Sequence, residues 1–315
     1  MIFITGATGH IGNNLVRLLV AEGRPCKLLQ RQSGPALADL GVEAIEGDIF
    51  DPDFLGCHVN PGDTLVHIAA LIDLKNKYPE LSDQVNNLGT RAIIDFCQAR
   101  GVRLIHTSSV DCIDRSQNQP LVGEPDDIYP EHLKSNYAIS KAKGTKYLLD
   151  KIRKEEMDAV ILYPSAVIGP HDYKPSAAGM EIMKAMNKRL IFYIKGGYNF
   201  IDVGDCARAI LACIDKSVRG QYILANHNAT IKEFYREICV VANHKPVFLP
   251  VPGLLARAFV FLIPRFSKVM IDAILDNYRY DNSLMRRDLL EAPTPFPETV
   301  ANTIAWFTDR HKDKT

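Results

Sequence analysis

An excess of charge of either sign is missing from this chain. Among its 315 residues Lys+Arg and Asp+Glu both number 37, and no Lys/Arg-rich run occurs. A nucleic-acid partner would need a basic patch, so none is expected. The cysteines lack pairing as well. Seven lie scattered at 26, 57, 97, 112, 206, 213 and 239, with no Cys-x-x-Cys spacing. That pattern argues against a disulfide framework or structural zinc and for free thiols in a reducing compartment; no metal is expected. Apolar runs are short. The longest, Leu254 to Ile263, contains Arg257 and stops at Pro264. It is too short to span a bilayer and reads as a buried or lid helix, the alternatives being an apolar wall or a membrane-surface contact. The first strand candidate begins at Ile2, which leaves no room for a charged leader and suggests a cytoplasmic protein. There is no internal repeat and no low-complexity tract.

What is present is an alternation. Short apolar strands are expected at 2–4, 26–29, 42–45, 65–67, 103–107 and 158–162, with helical patterns near 11–22, 82–99 and 136–155 between them. Crossovers of this length imply an α/β fold built on a doubly wound parallel sheet, a Rossmann architecture, over residues 1–163. Beyond Pro164 the texture changes to helical stretches near 176–188, 204–216, 231–242, 253–262, 267–278 and 297–311, separated by short strands and proline-containing loops. This predicts a smaller, mostly helical substrate lobe over 164–315, with segments near 199–216 returning to the first domain.

The stretch from Ile2 to Gly12 carries the strongest local signal. A strand runs into Thr5, Gly6, Thr8, Gly9, His10, Ile11 and Gly12, and an amphipathic helix follows with Ile11, Leu15, Leu18 and Leu19 on one side. A pyrophosphate can approach the backbone only where side chains are absent, and a helix start offers free N–H groups and a positive dipole end. The second strand ends Leu28-Leu29-Gln30-Arg31 without the carboxylate that would bond both ribose hydroxyls of NAD. Arg31 offers a planar fork suited to a 2′-phosphate, so NADP(H) is preferred, while Gln30 leaves NAD(H) open. Asp48, followed by Ile49, is placed either to bond an adenine amino group or to cap the short helix after it.

Tyr137 and Lys141 stand four apart on a predicted helix and so share a face. A free phenol titrates near 10; moving it to near 7 takes roughly 4 kcal/mol of differential interaction, which a neighbouring ammonium and a nicotinamide would share. His106-Thr107-Ser108-Ser109 closes the fifth strand at the edge where open α/β sheets place ligands, so the Ser109 hydroxyl could hold a carbonyl oxygen beside the phenol.

These motifs resemble the extended short-chain dehydrogenase/reductase family, the NAD(P)-dependent epimerase/dehydratase group, and in particular its dihydroflavonol-reductase-like and aldehyde-reductase-like branch. The resemblance rests on Thr5–Gly12, Gly47-Asp48, His67–Ala70, Val85–Thr90, Thr107–Ser109, Tyr137–Lys141, Pro164–Pro170 and Phe200–Asp205, in order and at normal spacing, as far as about residue 245. It implies that Ser109 polarises the substrate oxygen, Tyr137 exchanges the proton, and Lys141 holds the nicotinamide ribose and tunes Tyr137. It also implies that Ala69 and Ala70 lie along the cofactor, that Pro164, Ser165, Ala166 and Val167 pass beside the nicotinamide, and that Asn86 belongs to a proton relay or to the helix supporting it. Tyr163 and His106 depart from the family's usual residues.

The implied activity is reversible reduction of a ketone or aldehyde, with a lipophilic, aromatic or steroidal small molecule as substrate. Ile113, Leu121, Tyr129, Tyr173, Met180 and Phe259 are candidate pocket residues. The alternatives are an NAD-dependent sugar-nucleotide epimerase or dehydratase, and a dinucleotide-binding sensor without turnover. The helices near 82–99 and 136–155 form a dimer bundle in much of the family, which makes a homodimer the expected assembly.

Overall fold

Seven parallel strands carry the first half of the chain and one late return. The computed structural model describes residues 1–32, 35–115, 121–259 and 268–312. Strand β1 (Ile2–Thr5) leads into helix α1 (His10–Ala21), β2 (Cys26–Gln30), β3 (Ala44–Glu46), α2 (Pro52–His58) and β4 (Thr64–His67). Then come α3 (Pro79–Asp83), α4 (Thr90–Arg100), β5 (Arg103–Thr107), the short β6 (Leu121–Val122), α5 (Asn136–Arg153) and β7 (Ala159–Pro164). The second half adds β8 (Ala166–Ile168), α6 (Ala177–Ala185), β9 (Leu190–Ile194), β10 (Gly197–Asp202), α7 (Val203–Asp215), β11 (Gly220–Leu224) and β12 (His227–Thr230). It closes with α8 (Ile231–Val241), β13 (Val247–Val251), α9 (Gly253–Phe259), α10 (Lys268–Asp276), β14 (Arg279–Tyr280), α11 (Ser283–Asp288) and α12 (Phe296–Lys312).

The large sheet has the order β11-β7-β5-β4-β1-β2-β3, reversing direction between β1 and β4. This is the doubly wound arrangement, and the crevice at the reversal is where such sheets receive ligands. Apolar residues fill both faces. Phe3, Leu65, Leu104 and Ile161 pack towards Ile93, Ile94 and Leu148 of α4 and α5. Ile4, Val66, Ile105 and Leu162 pack towards Leu15, Leu19 and Ile210 of α1 and α7. The smaller lobe has its own core, in which Phe200 stacks on Phe234 with centroids 4.8 Å apart. Its short strands form a three-stranded sheet, β12-β10-β8, and a two-stranded one, β13-β9.

Two differences from the sequence reading matter. Strand β11 pairs in parallel with β7 and completes the sheet; it lies beyond Pro164, in the stretch read as a separate helical lobe, and only its partner assigns it to the first domain. The helix expected over 82–99 is three pieces, with a widened π-helical turn over Gln84–Gly89 between α3 and α4. That turn brings α5 unusually close, because a Cβ on Gly144 would lie 2.6 Å from the Asn86 carbonyl oxygen. Turns of this kind recur at functional sites. The apolar 254–263 segment forms α9 as far as Phe259, and its remainder, like the Phe259 side chain, lies outside the described residues.

Gly144→Val should therefore force α5 away from the widened turn and destabilise the fold by about 1–3 kcal/mol. Urea unfolding of the two proteins measures it; a midpoint unchanged by the substitution would show that this contact is not tight.

Candidate active site

The glycine loop is built for close approach. Gly6 has φ +74°, and a Cβ there would stand 2.5 Å from the Ala69 amide nitrogen. A Cβ on Gly12 would collide with the Gly6 carbonyl oxygen. Gly9 caps α1 without a side-chain bond, so the first N–H groups of the helix are not covered by a capping side chain. At the far end of this crevice a cleft of about 360 Å³ is lined by Arg31, Gly47, Asp48, Phe50, Leu81, Gln84 and Val85. The backbone cradle and the arginine–aspartate cleft fit a dinucleotide.

Other residues expected at the cofactor have structural duties. The Thr5 hydroxyl lies 2.8 Å from His67 Nδ1. His10 Nε2 and Asn14 Nδ2 both reach the Pro170 carbonyl, each at 3.0 Å, which ties the glycine loop to the second lobe. Ile49 is buried in the core, so its side chain faces away from the cleft's polar wall. The capping alternative for Asp48 falls away, since Asp51 caps α2 by accepting from the Asp53 N–H at 2.9 Å. Asp48 accepts the Phe50 N–H at 3.0 Å and stays exposed at the cleft. The Asn86 side chain is engaged on both its polar atoms. Its Oδ1 accepts from Leu71 N at 2.8 Å, and its Nδ2 donates to Leu71 O at 2.9 Å and to Ser140 Oγ at 3.1 Å.

Helix α5 brings the reactive set together. Ser135 caps it by accepting from Ala138 N at 3.0 Å. Its buried stripe of Tyr137, Ser140, Lys141, Gly144, Thr145 and Leu148 is polar where a packing helix would be apolar. Lys141 is 2% exposed and donates from Nζ to the Thr107 carbonyl at 2.7 Å. Ser108 and Thr145 hydroxyls meet at 2.7 Å, a second tie between α5 and the end of β5. Ser109 accepts from Asp111 N at 3.1 Å and faces the Tyr137 phenol closely enough to favour its anion by hydrogen bonding. Among the described residues the buried hydroxyls of Thr107 and Ser165, at the ends of β5 and β7, have no protein partner. Ser109, Tyr137 and Lys141 thus sit at the carboxyl edge of the sheet.

Their electrostatics correct one expectation. Burial raises the Tyr137 phenol well above its ordinary value, the charges of Cys112 and Asp111 add to this, and Ser109 opposes it weakly. The expected depression by Lys141 is not what the protein alone produces. Burial instead lowers the Lys141 ammonium to about 8, with Cys112 opposing. Two histidines lie in the same buried layer. His67 and His106 stack with centroids 5.5 Å apart, and desolvation with the nearby Lys141 charge holds both neutral, His67 down to about 3.

The structure also shows what the motifs missed. Beyond Ser109, Asp111 accepts from the Tyr198 hydroxyl at 3.3 Å, Arg115 donates to the Tyr280 hydroxyl at 2.8 Å, and its guanidinium lies over the Tyr278 ring. These residues come from β10, β14 and two loops, so no local spacing announces them. Of the expected pocket residues, Ile113 is buried in the core and Tyr173 is engaged by Arg17 and Arg310 at the junction of the lobes. Leu121, Tyr129 and Met180 are exposed.

Comparison with known proteins agrees with this geometry. The model of the NAD dependent epimerase/dehydratase family matches residues 2–225, and the chain belongs to that family. It is an NAD(P)-dependent oxidoreductase of the extended short-chain type. It is 29% identical to sterol demethylase protein B of Methylococcus capsulatus, over 98% of both chains. It is 31% identical to ceramide reductase of Caulobacter vibrioides, over 98% of this chain and 94% of that one. Among solved structures, gox2253 superposes with a TM-score of 0.85 at 26% identity, covering 98% of both chains.

Because the Lys141 pKa falls from 10.5 unfolded to about 8 folded, its buried charge weakens the fold fully below 8. That cost is relieved as pH rises through 8 towards 10.5, where the unfolded chain holds the extra proton. The stability of the wild type relative to Lys141→Met should therefore increase by roughly 3 kcal/mol across that window. Denaturant titrations of both proteins at several pH values read this directly; parallel profiles would place the lysine at its ordinary pKa.

Proposed function

We propose that the protein is an NADP(H)-dependent reductase that converts a lipophilic ketone or aldehyde into an alcohol. The observation that carries this reading is the buried Ser109–Tyr137–Lys141 group with its phenol held in the acid form. NADPH, when bound, supplies hydride to the carbonyl carbon. Tyr137 gives the phenolic proton to the carbonyl oxygen, and the Ser109 hydroxyl steadies the charge developing there. Lys141, titrating near neutrality at about 8, is suited to returning a proton to the phenol. Reduction uses the phenol in its acid form; the reverse oxidation needs that proton removed and so should speed up as pH rises.

The backbone of Gly6, Gly9 and Gly12 with the start of α1 would hold the pyrophosphate. Arg31 would take the 2′-phosphate and Asp48 the adenine amino group. Ala69 and Ala70 would lie along the cofactor, and the chain from Pro164 to Val167, with the unspent Ser165 hydroxyl, would lie beside the nicotinamide. The lipophilic substrate class is supported by the sterol and ceramide in the names of two relatives that align over nearly the whole chain. A sugar nucleotide would need basic residues to meet its diphosphate, and Arg115, a few positions beyond Ser109, is already committed to Tyr280, Tyr278 and Asp111. Pairing of two copies through α4 and α5 has support in the exposed Leu81 and Leu88 beside the widened turn.

Tyr137→Phe should lower turnover of a carbonyl substrate by on the order of 10²–10⁴-fold. NADPH binding, followed by fluorescence titration, should be nearly unchanged. Retention of most activity would remove Tyr137 as the proton donor. Arg31→Ala should weaken NADPH by roughly 10–100-fold, the worth of a charge-assisted contact, and leave NADH almost unaffected. Equal effects on the two cofactors would mean that Arg31 does not read the phosphate.

A further inference from the structure

We infer that the outer face of the β9–β13 pair, with the start of α9, is a docking surface for an anionic lipid bilayer. In a sheet with one face on the core, the opposite face is ordinarily polar. Here Ile191, Tyr193 and Phe248 point towards the core of the small lobe. The alternate residues are apolar too. Leu190 stands opposite Val247 and Phe192 opposite Leu249 in the parallel register, and their exposures are 41%, 60%, 60% and 40%. Leu254 and Leu255, just beyond β13, are 79% and 48% exposed. Large apolar side chains paired in register and left exposed on one sheet face mark an interaction site.

The charges around this face choose the partner. From Ile182 to Ile201 and from Ile238 to Ile271 the sequence contains no Asp or Glu. Lys188, Arg189, Lys195 and Lys245 fall within these stretches. Arg189 and Lys245 adjoin at the entrance of the two strands, where Val247 N donates to Arg189 O at 3.0 Å, and Lys195 follows the end of β9. None of the four makes an ion pair among the described residues. Cations adjoining large apolar side chains at both ends of β9, with the nearest carboxylates set back on α10 and Asp272 among them already paired with Arg257, match anionic headgroups above acyl chains. A symmetric contact with a second copy of this chain would press those cations against one another. Among the described residues no helix is long and apolar enough to cross a membrane, so the contact is with the surface.

The inference does not rest on the proposed reaction, because it is read by binding alone. The full chain is mixed with vesicles of phosphatidylcholine, or of equal parts phosphatidylcholine and phosphatidylglycerol, and the bound fraction is measured by flotation. Binding is expected to the anionic vesicles, to weaken as salt rises, and to be minor on the neutral ones. Phe192→Ser with Leu249→Ser should abolish it. Arg189→Gln and Lys245→Gln should each lower partitioning by roughly fivefold. NADPH turnover of a small water-soluble carbonyl, or NADPH binding where no carbonyl is turned over, reports that each variant is folded. Absence of binding to anionic vesicles overturns the proposal, as does binding that the four substitutions leave unchanged. Sedimentation velocity supplies a third arm: an oligomer that Phe192→Ser and Leu249→Ser dissociate would make this face a self-interface instead.

Discussion

A buried ammonium bonded to a strand-end carbonyl holds the reactive apparatus in place. Removing the Lys141 charge from water is unfavourable, and the 2.7 Å bond to Thr107 O is what the protein offers in return. That bond exists only if α5 lies hard against the end of β5. The Ser108–Thr145 hydroxyl pair fixes that approach, while Gly144 lets the same helix lie close against Asn86 and Thr90. Ser109 belongs to the same strand end and Tyr137 to the same helix, so one tether sets the distance between the two hydroxyls that we propose face the substrate oxygen. The widened turn below α4 adjoins the same contact, and its Asn86 side chain bonds both Leu71 and Ser140.

One charge in a low-dielectric layer excludes others. Lys141 shares its surroundings with His67 and His106, and the imidazoles give way, both remaining neutral far below their ordinary range. Thr5, His67 and Thr90 then form a chain of uncharged hydrogen-bonding groups across β1, β4 and α4. The same desolvation keeps the Tyr137 proton in place. The acid form of the phenol and the lowered lysine pKa therefore have one origin, the dryness of the site, and do not require the two residues to act on each other in the protein alone.

Legibility followed locality. The glycine turn, Tyr137 with Lys141, and the strands β1 to β5 and β7 are specified by residues close together in sequence, and periodicity with turn chemistry makes them readable. Features set by tertiary approach were not. The widened turn at Asn86 depends on what packs against it, and β11 is defined by its partner β7 rather than by its own five residues. The Asp111–Arg115–Tyr198–Tyr280 cluster gathers from separate elements. Ile113 and Tyr173 illustrate the converse: an apolar or aromatic residue in a plausible loop can equally be core or inter-lobe packing. The sign of the phenol's shift was illegible for the same reason, because desolvation is a property of the assembled site.

The small lobe repeats this contrast between committed and uncommitted groups. Arg208 is held by Asp205 and Thr294, Arg257 by Asp272, and Arg310 by the Tyr173 and Trp306 rings. Its stacked aromatic core consumes Phe200, Phe234 and Phe296. Against those pairings, the leucine, valine and phenylalanine pairs on β9 and β13 stand exposed in register, beside cations that make no ion pair among the described residues. A two-stranded parallel sheet gains little from its own hydrogen bonds and has both edges open. Its persistence with apolar residues on both sides is explained if the outer side, like the inner one, is shielded from water during function. A lipid surface would supply that shielding next to the lobe expected to receive a lipophilic carbonyl, so that the substrate need not cross bulk water to reach Tyr137.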